Sequence, residues 1–292
     1  MKFGIIGNLE KAELSEAVAL LLTTLDRAGM EYVIEKEIVP LLHGDRWHFK
    51  SGQVNKREEC VRGVDVLVAL GGDGTMLAAA QLVGALGTPI LGINLGKLGF
   101  LAEVVPGEMP EAIDEIIRGR YKTEKRLVLE ATVSQIPGKV MHALNDVVVD
   151  KSRSSRLIDV EVYINDAFAV SYRADGLIIS TPTGSTAYAL SSGGPIVVPT
   201  SNVIGITPIS PHTLSGRPLI IPDTDTIRIV TKNHTDEVLI SVDGQEEAVV
   251  KSSVEVRITR AVHAVHLVKR IHATYYDVLR AKLLWGKDVR GT

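Results

Sequence analysis

Five consecutive residues, Gly71-Gly72-Asp73-Gly74-Thr75, carry the clearest chemistry in the chain. Three of them lack a Cβ, so a ligand can lie directly against the backbone. The run follows an apolar, strand-like segment, Val64 to Leu70, and opens a helix-like one, Met76 to Leu86. Free N–H groups at a helix start attract anions such as phosphate. Asp73 puts a carboxylate inside that cradle. A carboxylate among phosphates is repelled unless a metal lies between them or it accepts a proton. The combination points to phosphoryl transfer rather than passive phosphate binding. Taken alone, the same residues also suit a plain strand-to-helix turn.

A second constellation runs from Asp175 to Pro195 and reads DGLIISTPTGSTAYALSSGGP. Its polar residues are nearly all hydroxyls and glycines. The pattern predicts a strand at Leu177 to Ser180, a loop at Thr181 to Ser185 and a helical turn at Thr186 to Leu190. Gly193-Gly194 closes it. Hydroxyls and exposed N–H groups suit sugars, purine edges and phosphate oxygens. Tyr188 offers an aromatic face. Gly184-Ser185-Thr186 lacks the G-x-S-x-G spacing of a hydrolase elbow. A turn-rich loop would use the same residue types for backbone reasons.

Other residues are bland when taken singly. Asn145-Asp146 fits the end of a strand pair, and Arg156 and Arg173 fit solvated surface charges. His263 and His266 lie in a strand-like stretch and would face opposite sides, which disfavours a metal pair. Asp223 and Asp225 read as turn formers.

These residues need elements to position them. The first third alternates strand and helix: Lys2 to Ile6, Glu13 to Ala28, Glu31 to Glu35, a short helix at Lys56 to Arg62, Val64 to Leu70, the Met76 helix, Pro89 to Ile93, and Glu108 to Arg118. Such alternation predicts a Rossmann-like parallel sheet, with ligands at the carboxyl ends of its strands. After about Tyr121 the pattern becomes strand after strand, including Arg126 to Val133, Val140 to Val149, Asp159 to Ile164, Ala167 to Tyr172 and Val238 to Val242. Asn165-Asp166 and Asp243-Gly244 mark hairpin turns. The expected architecture is an α/β domain over 1–122, a β-rich, sandwich-like domain over 123–270, and a helical tail over 271–292 able to pack on the first domain.

Bulk properties narrow the field. The chain has 292 residues, 45% hydrophobic and 23% charged, with a formal net charge of −3. This balance calls for neither nucleic acid nor a membrane as partner. A single cysteine, Cys60, excludes an intrachain disulfide and a cysteine-built zinc site. No apolar run reaches the roughly 20 residues of a membrane helix, so the expected compartment is the cytoplasm.

Together, these residues resemble the NAD kinase family. The resemblance rests on Gly71 to Thr75 with Met76-Leu77, on Asn145-Asp146, on Arg173-Ala174-Asp175-Gly176-Leu177, and on Thr181 to Tyr188 continuing through Ser191 to Pro195. The first motif is shared with phosphofructokinases and some lipid kinases; the long fourth motif discriminates. The resemblance implies transfer of the ATP γ-phosphoryl group to the 2′-hydroxyl of the adenosine ribose of NAD. It implies Asp73 as proton acceptor, with Gly71, Gly72, Gly74 and Thr75 holding nucleotide or phosphate. Asn145 and Asp146 match the family's Asn-acidic pair, with Asp146 one methylene shorter than the usual glutamate. Arg156, Arg173, Asp175, Thr186, Ala187, Tyr188, Ser191 and Gln245 match further dinucleotide-binding positions. Mg²⁺ and a homo-oligomer, dimer or tetramer, are implied as well. The alternatives are another kinase with this loop, acting on a sugar phosphate or lipid, and a non-catalytic dinucleotide sensor. No Walker lysine follows the glycine loop, and Lys97 and Arg173 are candidates to balance phosphate on charge alone.

Overall fold

The structure, a computed structural model, describes residues 1–43, 47–212, 216–232, 237–272 and 274–283. It divides into two compact units, Met1–Lys125 with Val265–Thr292, and Arg126–Ala264.

The first unit starts with β1 (Lys2–Gly7), α1 (Leu14–Arg27), β2 (Glu31–Glu35), β3 (Val54–Asn55) and β4 (Val66–Gly71). It continues with α2 (Asp73–Val83), β5 (Ile90–Asn94), α3 (Met109–Ile117) and β6 (Lys122–Arg126). Helix α1 buries Leu14, Ala17, Val18, Leu21, Leu22 and Leu25, a stripe at helical spacing. Each buried leucine contributes roughly 1.5–3 kcal/mol. Strand β4 is buried at every position, which a covered parallel strand requires. The expected helix at Lys56 to Arg62 is only a short 3₁₀ turn, Arg57–Glu59.

Strand order is β3-β2-β1-β4-β5, followed by Val265–Lys269 and β6. The connections reverse direction between β1 and β4. In open α/β sheets, ligands bind outside the carboxyl ends of strands at such a reversal. Those ends are Gly7 and Gly71, tied by the Asn8 N–H donating to the Leu70 carbonyl at 2.9 Å. Buried Glu35 secures the end of β1. Its carboxylate accepts from the Gly7 N–H at 3.1 Å and from Arg57 at 3.2 Å.

The second unit holds β7 (Leu129–Val133), β8 (Val140–Ala143), β9 (Asp146–Asp150), β10 (Ile158–Ile164), β11 (Ala167–Ala174) and β12 (Gly176–Ser180). Helix α4 (Tyr188–Ser191) follows, then β13 (Val203–Ile209), β14 (Leu219–Pro222), β15 (Ile227–Lys232), β16 (Glu237–Val242), β17 (Glu246–Lys251) and β18 (Glu255–Arg260). They form two six-stranded sheets, β11-β10-β15-β18-β7-β8 and β14-β13-β12-β9-β16-β17, antiparallel at every assigned pairing. Val160, Ile229 and Val256 of the first sheet share one core with Val149, Leu177 and Ile240 of the second. On the other face of the second sheet, Val148 and Ile178 pack with Ala189 of α4 and with Ile209. Burial on both faces explains why β9 and β12 read as unbroken apolar runs. The turns Asn165-Asp166 and Asp243-Gly244 hold both residues at positive φ, as two-residue hairpin turns demand.

Arg126 to Val133 is not one strand. It breaks at Leu127-Val128, between β6 of the first sheet and β7 of the second unit. The last strand, β19 (Val265–Lys269), joins the first sheet, where Leu267 pairs in parallel with Ile90 of β5. The chain therefore returns to the first unit at Val265, inside the 123–270 span expected for the β-rich domain. Helix α5 (Tyr275–Leu283) follows, with the Lys282 ammonium 5.3 Å from the Phe100 ring centroid. The rest of the expected helical tail, residues 284–292, lies outside the described residues. No described helix is long and apolar enough to cross a membrane.

Candidate active site

In the first unit, the glycines of the Gly71–Thr75 loop have separate tasks. A Cβ on Gly71 would meet the Thr75 hydroxyl oxygen at 2.0 Å, so Gly71 is needed for packing, and Thr75 is buried against it. Added Cβ atoms on Gly72 and Gly74 would meet nothing within 4 Å. The backbone there is open to a ligand. Gly72 caps α2, and Asp73 is its first residue. An acidic side chain suits the positive end of the helix dipole.

The Asp73 carboxylate lies across three consecutive backbone N–H groups. Phe100 donates to Oδ2 at 2.9 Å; Leu101 and Ala102 donate to Oδ1 at 2.9 and 3.3 Å. A carboxylate offers about four acceptor directions. Three are occupied, and half-buried Asp73 retains one for a ligand. Gly99 makes this seat fit, since a Cβ there would lie 2.1 Å from Asp73 Oδ1. The loop is braced by the Asn94 amide donating to the Lys97 carbonyl at 2.8 Å and by the Leu95 N–H donating to the Gly71 carbonyl at 2.8 Å.

Sequence reasoning passed over Gly99 and Lys11. Lys11 Nζ stands 3.5 Å from where a Gly96 Cβ would be, in the loop after β5, at the carboxyl end of the strand. Lys97, chosen on charge, is exposed.

In the second unit, three sequence-distant segments meet at one end of a sheet. Register pairs Asp146 with Ser180 and Val147 with Val242. Asn145-Asp146, the loop after β12 and the Asp243–Gln245 turn therefore stand together. Gly184 packs on Asn145, where a Cβ would meet its carbonyl oxygen at 2.1 Å. Asp146 is buried, and its carboxyl is pushed up to about 7 by that burial and by the Asp243 charge. Burial also raises Asp243, against three hydrogen bonds that favour its ionised form.

The hydroxyls of the long motif divide in a way the sequence did not reveal. Thr181 Oγ1 donates to the Leu144 carbonyl at 2.6 Å, and Ser185 Oγ donates to the Pro182 carbonyl at 2.7 Å. Both are buried and hold the loop itself, so they do not present free hydroxyls to a sugar or phosphate. Tyr188 and Ser191 on α4 are exposed, and Thr186 and Ala187 are half-buried. The Tyr188 hydroxyl is raised by partial burial and by the charges of Asp150, Asp175 and Asp146. Asp175 is ion-paired with Lys151 at 2.6 Å. Arg173 is exposed and 3.9 Å from Asp159, while Arg156 is exposed in the loop before β10. Gln245 closes its turn through an N–H donating to the Val242 carbonyl at 3.0 Å. His263 packs edge-on against His142, with centroids 4.7 Å apart, and not with His266. Asp223 is buried and paired with Arg260 at 2.6 Å, which is more than turn formation.

Comparison with known proteins agrees with this layout. Residues 3–121 match the ATP-NAD kinase N-terminal domain, and residues 144–270 match the ATP-NAD kinase C-terminal domain. The chain belongs to the NAD kinase family. It is 41% identical to the NAD kinase of Bacteroides fragilis (strain YCH46) over 292 residues, covering 99% of this chain and 100% of that protein. It is 42% identical to the NAD kinase of Moorella thermoacetica, covering 98% and 90%. Among solved structures, it is similar to yeast NADH kinase complexed with NADH, with a TM-score of 0.89 and 29% identity, covering 100% of this chain and 90% of that one.

Proposed function

We propose that Asp73 is the base of an ATP-dependent NAD kinase and that Asn145 and Asp146 hold the dinucleotide. The overall reaction is phosphorylation of NAD to NADP, the activity of the family to which the chain belongs. The observation that carries the assignment of Asp73 is its seat: three N–H groups fix the carboxylate and leave an acceptor direction beside an open glycine backbone.

A ribose hydroxyl is a weak nucleophile at neutral pH. Asp73 takes its proton as the oxygen attacks the γ-phosphorus of ATP, and ADP leaves. Such base catalysis contributes about 10²- to 10⁴-fold. Alignment and charge neutralisation supply most of the rest. The sterically open backbone at Gly72 and Gly74, together with Lys11, lies against phosphate oxygens. Asn145, Asp146 and the exposed Tyr188 hold the dinucleotide, with Thr186, Ala187, Ser191 and Gln245 around them. Arg156, Arg173 and Asp175 belong to the same reading.

Among the described residues, no group of three or more His, Cys, Asp or Glu side chains could hold a metal. Mg²⁺ needs no such cage, because it usually binds through one or two carboxylates and substrate phosphates. On this reading Mg²⁺ would arrive with ATP, held mainly by its phosphate oxygens, and the one vacant acceptor direction of Asp73 is left for the ribose hydroxyl. When bound, that ion neutralises charge on the transferring phosphoryl group. A homo-oligomer and a cytoplasmic location complete the proposal.

The test is a coupled assay with purified protein, ATP, Mg²⁺ and NAD. NADP formation is expected. ATP consumption only with other acceptors would favour the sugar-phosphate or lipid kinase reading, and NAD binding without turnover would favour the sensor.

A further inference from the structure

The peptide Leu144-Asn145-Asp146 is held in full by two residues, Asp243 and Thr181, to which neither the family resemblance nor the proposed chemistry gives a role. Asp243 accepts all three of its N–H groups: Leu144 donates to Oδ2 at 2.8 Å, and Asn145 and Asp146 donate to Oδ1 at 2.7 and 3.1 Å. The Asp243 N–H donates back to the Asp146 carbonyl at 3.0 Å. Thr181 holds the two remaining carbonyls. Its Oγ1 donates to Leu144 O at 2.6 Å, and its N–H donates to Asn145 O at 2.8 Å. Every backbone donor and acceptor of the three residues therefore ends on Asp243 or Thr181.

This is more than turn chemistry. An Asp-Gly pair at positive φ satisfies a hairpin without help from the side chain. Asp243 instead sends its carboxylate inward, with 8% of the residue exposed, to a segment 97 to 99 positions away in sequence. Burying a carboxylate is costly unless it is hydrogen-bonded, and the three N–H groups supply that compensation. Thr181 Oγ1 also accepts from the Gly184 N–H at 3.0 Å, which couples the clamp to the loop leading to Tyr188.

We infer that Asp243 and Thr181 are positioning residues that fix Asn145 and Asp146 for the dinucleotide, setting affinity for NAD without touching the reacting atoms. This inference rests on the proposed role of Asn145 and Asp146. A shift of a few tenths of an ångström in that peptide would be felt as weaker NAD binding, with the phosphoryl donor unaffected.

The variants Asp243→Asn and Thr181→Val test it, with Thr181→Ser as the conservative control. In Asp243→Asn, an amide NH₂ faces a backbone N–H, so one side of the clamp fails. In Thr181→Val, the shape is kept and the hydroxyl is lost, which orphans Leu144 O and Gly184 N. We expect each of the two to raise the KM for NAD about tenfold or more, with kcat within about threefold and the KM for ATP unchanged. Thr181→Ser should stay near the parent. Asp243→Asn should also move the pH midpoint of NAD binding downward, because it removes the charge that helps lift Asp146. The Tyr188 hydroxyl, which feels Asp146, Asp150 and Asp175, is a second titratable group near Asp146 that the substitution does not remove. Should Asp243→Asn fail to fold, Thr181→Val and Thr181→Ser decide alone.

An unchanged KM for NAD in the folded variants would overturn the inference, as would equal losses toward both substrates. A parent protein that makes no NADP would instead overturn the proposed function, so the two failures are distinct.

Discussion

Asp73 and Asp243 use the same local device in different units of the molecule. Each carboxylate lies across three consecutive backbone N–H groups, Phe100 to Ala102 in one case and Leu144 to Asp146 in the other. Their surroundings separate them. Asp73 is half-buried at a helix start beside glycines that leave the backbone open. Asp243 is buried, and its neighbours are peptide groups and the Asp146 carboxyl. One is a held carboxylate with a vacant acceptor direction, which the proposed function uses for the ribose hydroxyl. The other is a held carboxylate whose work is the holding. Backbone clamping alone thus does not single out the proposed base; what separates the two carboxylates is access.

The comparison can be broken by moving each carboxylate. Asp73→Asn should lower kcat about 10²- to 10⁴-fold while NAD affinity in calorimetry changes little. Near-parent turnover in that variant would remove Asp73 as the base. Gly99→Ala is the next largest effect, because its Cβ would lie 2.1 Å from Asp73 Oδ1 and would displace the carboxylate. We expect a loss in kcat of about tenfold or more with NAD binding retained, measured by the same two assays.

Asp146 gives the pH prediction. Its carboxyl titrates near 7 in the folded protein, against 3.8 for the ordinary group. The folded state therefore holds an extra proton between those values, and stability falls as pH rises through that window. Asp146→Asn should remove that slope and melt above the parent at pH 8, while binding NAD more weakly. Thermal denaturation from pH 5 to pH 8 reads the first effect, and calorimetry reads the second. In the parent, NAD affinity should rise as pH passes through about 7 and the carboxylate becomes able to accept ribose hydroxyl bonds. Lys11→Ala should have the smallest effect, a several-fold rise in the KM for ATP, as expected for one screened charge of about 1 kcal/mol on phosphate.

Much of this was legible in local sequence. The alternation of Lys2 to Ile93 predicts the parallel sheet, and Gly71 to Thr75 falls at a strand-to-helix junction because both flanking patterns are strong. Asn165-Asp166 predicts its hairpin for the same local reason. What escaped notice depends on contacts far apart in the chain. Asp243 reads as half of a hairpin turn, and no local signal says that its carboxylate reaches Leu144 to Asp146. Gly99 is one glycine in a glycine-bearing loop until Asp73 is seen against it. Thr181 and Ser185 have the composition of ligand-binding hydroxyls, yet burial turns them inward. Gly205 and Pro208 interrupt the pattern of β13, and the Glu246-Glu247 pair gives the start of β17 the look of a surface loop. Strand β19 follows a run of strands and reads as one more of them, although it pairs with β5.

The most direct test of the central claim is a crystal structure with NAD and a non-hydrolysable ATP analogue. The account predicts an Asp73 carboxylate oxygen within about 2.6–3.2 Å of the ribose 2′-oxygen, still carrying the Phe100 to Ala102 N–H groups. A ribose hydroxyl bound against some other base, with Asp73 turned away from it, would contradict the account.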